Sequence, residues 1–196
     1  MIDFEKLKLL YKFGRELNLS DVQVLLNEAK LKRYESGDHL LKMGGLRRDI
    51  FLIRKGLLRF YTIKSNGEEV TTSLHWENQI VANTDLLFHK TESRFFLQAL
   101  EATEVLYMDY DKLQDIINSH PKLERHRKNI FQKIFKTMTA RLETFILLSP
   151  EERYLAYVDE NPDIINRVQD KYLANVLGIT PVSLSRIRKR VADRRK

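Results

Sequence analysis

The chain has 196 residues, with 34 lysines and arginines against 27 acidic residues, no cysteine and a formal net charge of +7. The absence of cysteine excludes disulfide bonds, cysteine-ligated zinc and iron–sulfur sites, and thiol nucleophiles. The first residues, Met1 to Lys6, lack the basic and apolar regions of a signal peptide, and no apolar stretch approaches the roughly 20 residues that span a bilayer. We therefore expect a soluble, cytoplasmic protein.

Two short helices are predicted ahead of a region of strands. Apolar residues recur at helical spacing between Asp3 and Glu16, and Ser20 is placed to cap a second helix. From Leu31 to Met108, short runs rich in β-branched and aromatic residues alternate with glycine-containing turns. Asn66-Gly67 lies between two such runs and predicts a β-hairpin, because both residues tolerate a positive φ. This region is predicted to form an antiparallel sandwich, roll or barrel.

Helical periodicity returns at Tyr110, with a short helix predicted over residues 111–118 and a much longer one from Pro121 to Leu148. The long helix would have about 28 residues and a length of about 42 Å, more than one small domain needs. Its apolar stripe either packs on the strand region as a core helix or forms the seam of a dimer, and its length favours the dimer. The residues expected in that seam are Phe131, Ile134, Met138, Leu142 and Phe145.

A new unit is predicted to begin at about residue 149. Ser149-Pro150-Glu151-Glu152 combines a capping serine, a proline at the first helical position and a glutamate three residues after the cap. Between Ile164 and Lys196 there are nine basic residues and two acidic ones, so the entire net charge lies in this segment and the preceding 163 residues are neutral. A basic tail is often only a solvated face, so the pattern inside it decides its meaning.

That segment has the pattern of a helix-turn-helix. Leu173 and Leu177 share one face of a short helix, Gly178 follows where a helix ends in a left-handed conformation, and Thr180-Pro181 opens a second helix. The solvent face of the second helix has the size and chemistry to enter a DNA major groove. A helical hairpin with a merely solvated face would explain the apolar residues but not the concentrated charge.

The predicted DNA contacts divide into base-reading and phosphate-binding residues. Arg186 is the candidate for a bidentate contact with guanine, and Pro181 and Val182 are candidates for contact with a thymine methyl group. Those suited to phosphate oxygens, which fix register rather than read sequence, are Thr180, Ser183, Arg188, Lys189 and Arg190. Ser185, on the same solvent face, completes the predicted set.

In this order of elements the chain resembles the Crp/Fnr family of bacterial transcription regulators. Tyr34–Leu41 and Ile50–Tyr61 are similar to the family's cyclic-nucleotide-binding roll, and Tyr172–Arg190 is similar to its helix-turn-helix. The resemblance implies an α+β fold: an antiparallel β-roll with flanking helices over residues 1–120, a dimerisation helix over 121–148, and a small all-α helix-turn-helix domain over 149–196. Because the sequence stops shortly after the second helix of that motif, no β-hairpin wing is expected.

The nucleotide pocket of the family is degenerate in this sequence. Family members that bind cyclic nucleotides carry a Gly-Glu pair for the ribose and an Arg-Ser or Arg-Thr pair for the phosphate, and the corresponding positions here hold Ala82-Asn83 and Ser93-Arg94. The ribose carboxylate is lost, and the arginine is missing or shifted by one residue, a shift that turns a strand side chain to the opposite face. Cyclic AMP is not expected to bind in the usual mode, and no other effector, metal or cofactor is predicted.

These observations predict a dimeric transcription regulator that binds palindromic double-stranded DNA, and the resemblance allows RNA polymerase as a further partner. The alternative is a small-molecule-binding or protein-interaction module whose basic tail docks on an acidic partner. An enzyme is not expected, because no phosphate-binding glycine loop, metal-ligand spacing or Ser-His-acid arrangement stands out.

Overall fold

The structure is a computed structural model that describes residues 19–194 of the chain. The helix predicted between Asp3 and Glu16 lies outside the described residues, as do the terminal Arg195 and Lys196. The helix predicted near Ser20 is confirmed as α1 (Leu19–Glu28).

The region predicted to be strands forms two four-stranded antiparallel sheets. The strands are β1 (Lys30–Tyr34), β2 (His39–Leu41), β3 (Asp49–Lys55), β4 (Leu58–Ile63), β5 (Glu69–His75), β6 (Ile80–Ala82), β7 (Phe96–Ala99) and β8 (Thr103–Asp109). One sheet has the order β1-β8-β3-β6 and the other β2-β7-β4-β5. Inward side chains of both sheets, among them Ile53, Leu58 and Leu97, are fully buried between them. The predicted antiparallel roll is therefore confirmed.

The hairpin predicted at Asn66-Gly67 joins β4 to β5, with Ile63 paired to Glu69. Only Gly67 of the two residues has a positive φ, of 84°. Asn66 contributes through its side chain instead, whose carbonyl oxygen accepts the N–H of Glu68 at 3.1 Å. The connection is longer than a two-residue turn because Lys64 and Glu68 close it with a backbone hydrogen bond of 2.9 Å.

Five helices follow the strands: α2 (Tyr110–Ser119), α3 (Pro121–Leu147), α4 (Pro150–Glu160), α5 (Asp170–Leu177) and α6 (Pro181–Asp193). Helix α3 has 27 residues, which gives it a length of about 40 Å. Helix α4 begins with the predicted capping box, in which Ser149 and Glu152 each bond the other's backbone N–H. None of the helices among residues 19–194 combines the length and the apolar character needed to cross a membrane.

A single apolar cluster joins the roll to the C-terminal helices. Leu57 and Leu74 of the roll are buried together with Leu173, Leu177 and Leu184 of helices α5 and α6. Helix α5 lies directly on strand β5. The sequence patterns did not predict this shared core, because each apolar face is explained equally well by packing within its own unit.

Candidate nucleic-acid interface

The turn between α5 and α6 has the geometry that its residues predict. Gly178 ends α5 in the left-handed region, at φ 67° and ψ 34°, and its N–H donates to the carbonyls of Ala174 and Asn175. Thr180 caps α6, because its hydroxyl oxygen accepts the N–H of Ser183 at 3.1 Å. Pro181 takes the first helical position, where a missing N–H costs nothing.

Helix α6, hereafter the reading helix, has one buried and one exposed face. Leu184 and Ile187 are 0% and 3% exposed and pack into the cluster shared with the roll. The opposite face is open to solvent and carries six of the nine predicted DNA contacts: Pro181, Val182, Ser185, Arg186, Lys189 and Arg190. Val182 is 60% exposed, so its methyl groups are accessible on this face.

Internal ion pairs separate the predicted basic contacts into two groups. Arg188 pairs with Asp170 at the start of α5, and Arg190 pairs with Glu151 of α4 at 3.0 Å. The hydrogen bond from Arg190 holds the pKa of Glu151 below its usual range. For Arg186 and Lys189, by contrast, the described residues offer no carboxylate partner. These two cations are therefore free to meet an anionic or hydrogen-bonding ligand.

The three hydroxyl side chains among the predicted DNA contacts also differ in whether they have partners inside the protein. Thr180 and Ser183 are joined to each other by a hydrogen bond of 3.0 Å between their oxygens, in addition to the cap. Both hydroxyl groups are therefore already engaged in hydrogen bonds at the start of the reading helix. Ser185 is exposed on the open face beside Arg186.

A buried arginine holds the helix-turn-helix against the roll. Arg59 on β4 is 3% exposed, and its guanidinium lies between the rings of Tyr61 and Tyr172, at 3.9 and 4.2 Å from their centroids. It also donates to Glu69 at 2.6 Å and to Gln98 at 2.8 Å, so the buried charge is compensated on its edges as well as on both faces. Sequence reasoning missed this site, because a lone arginine in a strand carries no recognisable pattern.

Two further polar contacts join the same units. The side-chain oxygen of Asn175 on α5 accepts the N–H of Thr71 on β5 at 3.0 Å. Arg167, just before α5, donates to Glu77 and Glu101 of the roll, and these hydrogen bonds raise the pKa of its guanidinium. The reading helix is thus presented on a unit whose other side is fixed to the roll.

The predicted pocket positions are bonded to one another. Asn83 and Ser93 are buried, and the amide nitrogen of Asn83 donates to the Ser93 hydroxyl at 2.6 Å. The amide oxygen of Asn83 accepts the N–H of Asp85 at 2.8 Å. Ala82 ends strand β6 half-buried. Both ends of the Asn83 side chain are therefore used inside the protein.

Arg94 holds an internal carboxylate where the family would hold a phosphate. Its guanidinium donates to both oxygens of the buried Asp85, at 3.1 and 2.8 Å, and its backbone N–H donates to the same group at 3.2 Å. These bonds lower the pKa of Asp85, so its carboxylate is ionised. A cyclic phosphate at Arg94 would lie against that negative charge, so the residues present do not fit a cyclic nucleotide in the usual mode.

Helix α3 presents an uncovered apolar face. Four apolar residues in its C-terminal half, Phe135, Met138, Leu142 and Ile146, are between 60% and 73% exposed. They follow one another at steps of three and four residues, which places them on one stripe. Two of them, Phe135 and Ile146, are absent from the predicted seam.

The other predicted seam residues are covered in part by their own chain. Phe131, Ile134 and Phe145 are each 40% exposed. The ring of Phe131 lies 6.1 Å from that of Phe88 in the short π-helical turn Asp85–His89. Sequence periodicity did not separate these residues from the open stripe, because both groups recur at helical spacing.

Comparison with known proteins agrees with this architecture. Residues 31–120 match the cyclic nucleotide-binding domain. The chain is 26% identical over 173 residues to electron transport regulator A of Shewanella oneidensis, covering 80% of this chain and 66% of the relative. It is 31% identical over 146 residues to an anaerobic regulatory protein of Haemophilus influenzae, covering 72% of this chain and 55% of the relative. The chain thus spans between about half and two thirds of these relatives' lengths.

Solved structures share the fold at low sequence identity. FixK2 from Bradyrhizobium japonicum superposes with a TM-score of 0.73 at 13% identity, covering 85% of each chain. A mutant of CooA from Carboxydothermus hydrogenoformans gives 0.69 at 19% identity, covering 94% of this chain and 84% of that one. With its nucleotide-binding-type roll, its long helix and its helix-turn-helix, the chain belongs to the Crp/Fnr family.

Proposed function

We propose that the protein is a dimeric transcription regulator that binds a palindromic sequence in double-stranded DNA, without control by cyclic AMP in the usual mode. The observation that carries this proposal is the open face of the reading helix, on which Arg186 and Lys189 have no internal carboxylate partner. A buried opposite face and a capped start hold that helix in place. The regulatory names of the relatives support the same conclusion.

On this proposal the exposed residues have separate tasks. Arg186 reads a guanine through its O6 and N7 atoms, and Val182, one helical turn earlier, contacts a thymine methyl group together with Pro181. Lys189 and the caps Thr180 and Ser183 meet phosphate oxygens. Arg188 and Arg190 exchange an internal carboxylate for a phosphate when DNA binds, and Ser185 lies beside the base-reading residues.

Dimerisation through α3 would supply the second half of the interface. A palindromic operator has two half-sites about 34 Å apart, one helical turn of DNA, and each subunit would place its reading helix in one of them. The apolar stripe of α3 is the surface that a second copy would cover. Such a protein would act in the cytoplasm, where RNA polymerase would be a further partner.

The first prediction separates base reading from phosphate binding. An operator is selected from random DNA with the wild-type protein, and affinities for it and for single-base variants are measured by fluorescence anisotropy at several salt concentrations. We expect Arg186→Ala to cost about 1–3 kcal/mol and to relax preference at one base pair in each half-site. Lys189→Ala should weaken binding to all sequences alike and reduce the salt slope by about one, because one phosphate contact is lost.

The control is Lys136→Ala, which removes the same charge from an exposed position on α3. It should bind like wild type. Equal loss by Arg186→Ala on every sequence would contradict its base-reading role. A wild-type protein that selects no DNA sequence at all would contradict the proposed function.

A further inference from the structure

One arginine joins three parts of the molecule at the end of the long helix. The guanidinium of Arg141 on α3 donates to the carbonyl of Thr72 on strand β5 at 2.8 Å and to the carbonyl of Val176 on α5 at 3.3 Å. Its surroundings desolvate the charged tip and lower the pKa of Arg141, although the residue as a whole is exposed. A single side chain thus connects the proposed dimerisation helix, the roll and the first helix of the helix-turn-helix.

A second contact lies one turn further along α3. The ring of Phe145 packs against the turn glycine, so closely that a Cβ built on Gly178 would be 2.7 Å from ring atom Cε1. Arg153 of α4 lies over the same ring, 5.0 Å from its centroid, and donates to the carbonyls of Leu177 and Leu148. The turn that precedes the reading helix therefore touches α3 directly.

These contacts lie at the C-terminal end of α5, where backbone carbonyls lack hydrogen-bond donors. The last carbonyls of a helix have no partner inside the helix, and the helix dipole places partial negative charge there. Arg141 and Arg153 supply donors and positive charge to two successive carbonyls, those of Val176 and Leu177. Since one donor comes from α3 and the other from α4, the end of α5 is tied to both of these helices.

We propose that Arg141 is a positioning residue that fixes the angle between the helix-turn-helix and helix α3, and thereby sets the half-site spacing that a dimer accepts. This inference rests on the proposed function, because spacing has meaning only for a dimer on a palindrome. The hydrogen bonds of Arg141 go to β5 and α5 and not to the reading helix, so each subunit would read its own half-site without it. What Arg141 controls is whether two reading helices reach two half-sites together.

The experiment compares one half-site with two. Using the full chain, affinities are measured for a duplex with a single selected half-site and for a series of palindromes whose central spacer is shortened or lengthened by one or two base pairs. We expect Arg141→Met to bind the single half-site within about twofold of wild type but to bind the optimal palindrome at least about tenfold more weakly, because the two subunits no longer gain from simultaneous engagement. Its affinity should also vary less with spacer length than that of wild type.

Two variants and a second measurement complete the test. Arg141→Lys keeps a donor and a charge and should restore part of the spacing preference, whereas Lys136→Met on the same helix should behave as wild type. Sedimentation confirms that each variant remains a dimer. An equal loss by Arg141→Met on half-site and palindrome, or an unchanged spacing profile, would overturn the inference. Failure of wild type to select any DNA would instead overturn the proposed function, so the two failures are distinct.

Discussion

The arginines of this chain take different roles that are set by their partners. Arg59 is buried between two tyrosine rings, Arg94 is satisfied by Asp85, and Arg190 is paired with Glu151. Arg186 alone among the predicted base-reading and phosphate-binding arginines is exposed without a described carboxylate partner. Residue type alone gives positive charge, whereas the neighbouring side chains decide whether that charge is available to an anionic ligand.

The ion pair of Asp85 and Arg94 leads to a prediction about the stability of the folded protein. Replacing Asp85 with asparagine should lower the free energy of unfolding at neutral pH by about 1–2 kcal/mol, because charge-assisted hydrogen bonds of a buried group are lost, in part screened at the exposed arginine. The pKa of Asp85 is lower in the folded protein, so its contribution is present above its unfolded pKa and is lost as the pH falls through the folded value. Urea denaturation at several pH values measures both effects.

The exposed Asp115 provides the matched control, since Asp115→Asn should leave stability nearly unchanged.

Cyclic AMP at about 1 mM should not raise the Tm of the wild-type protein, because a ligand that does not bind the native state cannot stabilise it. A clear rise in Tm would show that cyclic AMP binds the native protein and that Arg94 and Asp85 do not prevent it.

Among the secondary-structure elements, helix α3 leaves a long apolar stripe uncovered by its own chain. It is a 27-residue helix, and beyond Leu123 its residues are exposed or only half-buried. Its open stripe of Phe135, Met138, Leu142 and Ile146 has the spacing of an apolar seam in a two-helix contact, which is the role that the proposed dimer would give it. An isolated apolar stripe of this kind in water is unfavourable, so a second copy of α3 is the covering that the helix length and spacing fit best.

A charge in the middle of that stripe tests the dimer. Met138→Glu should raise the dimer dissociation constant at least about 100-fold, since it places a carboxylate against its own copy in an apolar seam. Analytical ultracentrifugation across a concentration series measures the change. Lys136→Glu changes charge on the side of the same helix away from the stripe and should alter the dissociation constant only slightly. A wild-type protein that stays monomeric at micromolar concentration would refute the dimer.

At the scale of the whole molecule, the roll and the helix-turn-helix are one packed body. Leu57 and Leu74 share a core with Leu173 and Leu184, and the buried Arg59 is covered from the other unit by Tyr172. Small units that share a buried core unfold together, because neither keeps its apolar face covered alone. We therefore expect the described part of the chain to lose its structure in a single cooperative step.

Removing the cover from Arg59 tests this coupling. Tyr172→Ala should lower the free energy of unfolding by about 2 kcal/mol, or roughly 4–8 °C in Tm, because aromatic packing and a cation–π contact are both lost. Scanning calorimetry measures the Tm and counts the transitions. Lys189→Ala, on the open face of the same unit, serves as the control and should change the Tm by less than about 1 °C. Two separate transitions in the wild-type protein would contradict a shared core.

Much of the local structure was predictable, because its causes lie within a few residues. The capping box at Ser149, the left-handed Gly178 and the Thr180 cap each depend on backbone groups at most four residues away. The strand region was predictable for the same reason, since glycine turns and alternating apolar residues mark its strands. The hairpin at Asn66-Gly67 was predictable too, although Asn66 shapes its turn through a side-chain hydrogen bond and not through a positive φ.

The order of elements, the concentration of the net charge in the last 33 residues and the solvent-facing side of the reading helix all follow from the amino-acid sequence. The folded arrangement is needed to see which of those charges have no carboxylate partner, which apolar residues of α3 remain uncovered and where the helix-turn-helix packs on the roll. The difference lies in how far apart along the chain the contacting residues are. Caps, turns and helical faces arise from neighbours along the chain. The contacts of Arg94 with Asp85, Arg141 with Thr72 and Arg59 with Tyr172 instead join residues 9, 69 and 113 positions apart, which no local pattern records.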